Sequence, residues 1–85
     1  MNKLQAVFCA ISGYEYNAPF SSARDEYYYE CTTEDEQISQ IKNYAEAACE
    51  IYLTDKQSRK INSALLKAQR FNSTNEWGAL YLNLK

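Results

Sequence analysis

The sequence predicts an α+β fold, a small antiparallel or mixed three-stranded sheet with two helices packed on one face, in the order β-β-α-α-β. Three observations predict it. Residues 4–11 (LQAVFCAI) form an apolar run of strand length, too short for a free-standing helix. Thr33 and Thr54 each open a stretch whose apolar residues recur at helical spacing. Near the end of the chain, Leu80, Leu82 and Leu84 alternate with Ala79, Tyr81 and Asn83.

Taken in order, residues 4–11 read as a central strand with Val7 and Phe8 in the core. Residues 12–25 (SGYEYNAPFSSARD) hold Gly13, Asn17, Pro19 and a serine pair without a sustained period, so they read as a long connection. Residues 26–32 (EYYYECT) place three tyrosines and a threonine where a pleated, half-buried surface favours them, and form the second strand. Alternation puts Tyr28 and Glu30 on one of its faces and Tyr27, Tyr29 and Cys31 on the other.

Thr33 and Glu36 then make a T-x-x-E capping box, and Glu34, Asp35 and Glu36 complement the positive end of the helix that follows. Its stripe is Ile38, Ile41, Ala45, Ala48, Cys49 and Tyr52, with Ser39, Asn43, Glu46 and Glu50 opposite. A second box from Thr54 to Gln57 starts another helix that runs to about Phe71 and buries Ile61, Ala64, Leu65 and Ala68. Residues 72–75 (NSTN) end it, because short polar side chains compete for backbone hydrogen bonds. Residues 80–84 are the last strand, leucines inward. Trp77 reads as a plug at the edge of the core or as an interface anchor.

With 85 residues the chain supports a single domain spanning residues 1–85. The 46% apolar and 14% aromatic content, eight tyrosines included, is enough to bury a core. No run approaches the roughly 20 apolar residues of a membrane span, and the N-terminus lacks a signal-peptide layout, so the mature protein is expected to be the whole chain. Cys9, Cys31 and Cys49 are odd in number and widely spaced, which argues against a disulfide framework and for a reducing, cytoplasmic setting.

Histidine is absent, and glycine occurs only at positions 13 and 78. There is then no ordinary general base near neutral pH, no Ser-His or Cys-His pair, no phosphate loop and no zinc spacing. Glu46 and Glu50, one turn apart on a solvent face, read as surface rather than as an acid–base pair. The expectation is a protein that is not an enzyme, with no cofactor and no metal.

Charge is segregated. From Asp25 to Glu50 there are eight acids against one base, Lys42; from Lys56 to Arg70 there are five bases and no acid. At about 100° per residue, Lys56, Arg59, Lys60, Lys67 and Arg70 fall within an arc of roughly 100° on the side opposite the apolar stripe. Such a row suits an acidic protein surface or the phosphates of RNA. In the long connection Tyr14, Tyr16, Phe20 and Arg24 add aromatic and cationic groups able to stack on unpaired bases. The net charge of −2 weakens long-range attraction to nucleic acid.

A short acidic chain rich in Asn, Tyr, Lys and Ile and without a catalytic signature resembles, in overall character, the small early proteins of T-even-type bacteriophages that antagonise host defences. That resemblance implies a counter-defence inhibitor acting in the host cytoplasm on a host protein such as a toxin nuclease, much as an antitoxin does. It carries no functional residue over. The expected function is therefore non-enzymatic binding to a host protein. The alternatives are an RNA-binding module on the basic helix and a homo-oligomer in which basic and acidic faces of two copies meet.

Overall fold

A computed structural model describes residues 2–13, 33–71 and 74–84. The described residues form four helices: α1 (Lys3–Ser12), α2 (Glu34–Cys49), α3 (Asp55–Ala68) and α4 (Thr74–Asn83). They contain no strand, so the expected α+β class and its three-stranded sheet are overturned. Two of the expected strands are helices, and the tyrosine strand at residues 26–32 lies outside the described residues.

The first expected strand becomes α1 because both of its ends carry helix signals. Asn2 accepts from the Gln5 amide at 2.9 Å, and the Gln5 side chain accepts from the Asn2 amide at 3.0 Å, a complete N-terminal capping box. Gly13 closes the helix in the left-handed conformation (φ 74°), its amide donating to the Cys9 carbonyl at 2.8 Å. Between these caps Leu4, Val7, Phe8 and Ile11 are spaced i, i+3, i+4, i+7; Val7, Phe8 and Ile11 are fully buried and Leu4 partly.

In α4, the Leu80–Leu82–Leu84 alternation is incidental. Leu80 and Leu84 are buried with Trp77, giving the helical spacing i, i+3, i+7, while Leu82 is 56% exposed. Trp77 is a core residue, at 3% exposure, with its ring 6.4 Å from that of Phe8 and tilted by 55°.

The two expected helices are present. Thr33 caps α2, accepting from the Glu36 amide at 3.2 Å, and the Thr54–Gln57 box of α3 is complete, at 3.1 and 2.9 Å. The α2 stripe ends sooner than expected. Ile38, Ile41 and Ala45 are buried and Cys49 is half-buried, but Ala48 is exposed, and Tyr52, beyond the helix end, is 74% exposed. Glu50 reverses the chain in the left-handed conformation (φ 57°), and Ile51 donates to the Ala45 carbonyl at 2.9 Å.

Within α3, Ile61, Ala64, Leu65 and Ala68 are buried as expected, joined by the polar Ser58 and Asn62. Ser58 donates to the Thr54 carbonyl at 2.9 Å, and Asn62 donates to the Gln37 side chain of α2 at 3.0 Å, which satisfies both groups away from water. Beyond Ala68 the helix tightens into one further turn through Arg70 and Phe71.

α1 and α3 are the central pair, each touching the other three helices; α2 and α4 flank them and do not touch each other among the described residues. The core runs from Phe8 and Ile11 of α1, past Ile41 and Ala45 of α2 and Ile61 and Leu65 of α3, to Trp77 and Leu84 of α4. Two side chains of α1 also close the free end of α4. The Asn2 amide group donates to the Leu84 carbonyl at 2.8 Å, and that of Gln5 to the Tyr81 carbonyl at 3.3 Å.

Candidate functional site

Among the described residues three helices pack on the apolar stripe of α3, and its bases lie on the exposed opposite side. Lys56, Arg59, Lys60, Lys67 and Arg70 are all exposed, with exposed Ser63 and Leu66 among them. The helix thus brings the five bases to one face, as their spacing predicts. Tyr14, Tyr16, Phe20 and Arg24, the aromatic and cationic part of the expected site, lie outside the described residues.

The face is less free of acid than residues 56–70 suggest, because the fold supplies acids from elsewhere. Glu34, in the first turn of α2, lies 3.7 Å from the Arg59 guanidinium. Asp55, in the first turn of α3, pairs with Lys42 of α2 at 2.8 Å. The hydrogen bond and positive charge of Lys42, with a smaller contribution from Arg59, hold the Asp55 carboxyl below its ordinary range. Both pairs are solvent-exposed and hold the fold only weakly. What they do is border the N-terminal end of the basic face with negative charge, while Lys60 and Lys67 lie on its α4 side.

There the face is no longer flat. Lys60, Ser63 and Lys67 of α3 and Asn83 of α4 line a groove of about 140 Å³ whose remaining walls are Ala64, Leu80 and Leu84. Cations and amide or hydroxyl groups thus adjoin an aliphatic wall. That combination sets cationic and hydrogen-bonding side chains beside an apolar surface. Ser63 could have been found in the sequence, since it falls inside the basic arc. Asn83, Leu80 and Leu84 could not, because they reach the groove only when residues 74–83 form a helix.

Elsewhere, the α2–α3 joint carries a depression of about 60 Å³ lined by Lys42, Glu46, Tyr52 and Leu53. Cys9 is buried and Cys49 half-buried, and burial pushes the Cys49 thiol above its ordinary value. Among the described residues no three His, Cys, Asp or Glu side chains converge as metal ligands would, and no helix is long and apolar enough to cross a membrane. Comparison with known protein families, curated proteins and solved structures finds no match to the chain.

Proposed function

We propose that this chain is a non-enzymatic binding protein that docks on a protein partner through the exposed basic face of α3, acting in the cytoplasm as a small inhibitor that occupies a host defence protein such as a toxin nuclease. The observation that carries the reading is the gathering of Lys56, Arg59, Lys60, Lys67 and Arg70 on one exposed side of α3, which none of the other described helices covers. Opposed charge steers such a surface to its partner and fixes the register of docking more than it adds affinity. The affinity then has to come from apolar contact, which Leu66 and the groove wall beside Lys60 and Lys67 offer.

RNA is the second reading, favoured by the absence of acids from residues 56–70. It ranks below a protein partner for two reasons. Glu34 sits beside the basic face, and the chain is acidic as a whole, which weakens the long-range attraction of an extended polyanion.

Affinity purification of the tagged chain, beside a variant with the five bases changed to Gln and with each eluate split with and without ribonuclease, tests the proposal. The expected result is a protein partner retained by the wild type, lost by the variant and indifferent to ribonuclease. Partners equally retained by the variant would return α3 to the status of a solvated face. For five phosphate contacts on a single strand, log K would instead fall against log salt with a slope of about −3.5.

A further inference from the structure

Resting on the reading of α3 as the docking face, we infer that the groove between α3 and α4 is the specificity pocket of that face. It takes one apolar side chain from an acidic segment of the partner, whose flanking carboxylates meet Lys60 and Lys67. The inference rests on the juxtaposition of a small apolar recess with cations on a single rim.

Size sets the first limit on the occupant. The groove is about 140 Å³, close to the roughly 150 Å³ of an engineered protein cavity that takes benzene, so one branched or aromatic side chain fills it. Composition sets the second. Its apolar walls, Ala64, Leu80 and Leu84, are aliphatic, and among the described residues no aromatic ring lines it to stack on a nucleobase. These walls are themselves core residues, exposed by 2% to 7%, so the recess belongs to the packed body of the protein and needs no rearrangement to form.

Charge sets the third. The lysines lining the groove are both on α3, seven residues apart and so two turns along the helix, about 10 Å by helical rise. An occupant with carboxylates on either side of its apolar side chain matches that separation. Asn83 and Ser63 offer neutral hydrogen-bonding groups between them. Glu34 and Asp55 border the other end of the face, toward α2, while α4 carries one described acid, Glu76, in its first turn.

The test uses the full chain and three probes: a short acidic peptide with leucines one helical turn apart, the same peptide with alanine for leucine, and oligouridylate of equal charge. Binding is followed by fluorescence anisotropy and by shifts of the Ala64, Leu80 and Leu84 methyl signals. The expected result is that the leucine peptide binds at the groove methyls, with the alanine peptide about tenfold or more weaker. The double change Lys60→Glu and Lys67→Glu weakens the leucine peptide by a similar factor. Ser63→Trp, an exposed change that fills the recess and spares the core, weakens it without altering the salt dependence; thermal melts of both variants check that they remain folded.

Equal binding of the leucine and alanine peptides, shifts confined to other residues, or stronger binding of oligouridylate through the same lysines would each overturn the pocket. No binding by any probe would overturn it as well. If the pocket falls while the five-Gln variant still loses its protein partners, the basic face stands without it; if that variant keeps its partners, both readings fall together.

Discussion

Glu50 is the one described residue other than glycine with a positive φ, at 57°. An L-residue with a Cβ pays about 1–2 kcal/mol to adopt that conformation, and here the residue also sets a negative charge against the negative end of α2. Glu50→Gly removes the steric conflict and the charge while giving the unfolded chain more freedom to lose. The expected net effect is stabilisation by up to about 1 kcal/mol, visible as a rise of a few degrees in Tm. Asp55 supplies a second prediction at this scale. Its folded pKa is depressed, so the stability it contributes is complete above the ordinary carboxylate range and is lost as pH falls through its own lower pKa. An NMR titration should show that low value in the wild type and a return to the ordinary range in Lys42→Gln, since the Lys42 hydrogen bond is the main cause.

At the scale of elements, the two amphipathic helices opened by threonine caps were legible in the sequence because local signals and packing agree there. Thr33 and Thr54 cap α2 and α3, and the α3 stripe predicted from spacing is the one buried. The two ends of the chain were misread because a short apolar run satisfies a strand and a helix alike. The deciding signals lay at the edges of each run: Asn2 before the first, paired with Gln5 in its first turn, Gly13 after it, and Trp77 three residues ahead of Leu80. Asn2 carries particular weight, for it caps the start of α1 and donates to Leu84 at the end of α4. Asn2→Ala should therefore cost about 1–2 kcal/mol in chemical denaturation, at the upper end for an N-cap, and loosen the end of α4 in hydrogen exchange.

For the whole molecule, the central place of α1 and α3 sets where stability and binding reside. Leu65 is fully buried in α3, which touches each of the other described helices, so Leu65→Ala should destabilise by about 2–5 kcal/mol in urea unfolding. Among the described residues the same arrangement leaves one side of α3 exposed, and the bases occupy it. A variant carrying five Gln on that side changes no buried residue, so its melting curve should stay near that of the wild type even as its partners are lost.

Taken alone, the sequence determined the two capped helices, the burial of the α3 stripe and the gathering of five bases on one helical face. Each depends only on residues within a few positions of one another and on the fixed period of a helix. The tertiary structure decided the rest. Residues 4–11 and 80–84 bury their apolar sides against α3, a packing that the local caps permit and only the assembled fold supplies. The setting of Glu34 beside Arg59, and the groove that joins Lys60 and Lys67 to Leu80 and Leu84, arise from helices distant in sequence coming to lie side by side. No spacing rule within one segment encodes such a meeting, because the energy that fixes it comes from burial shared among all four helices.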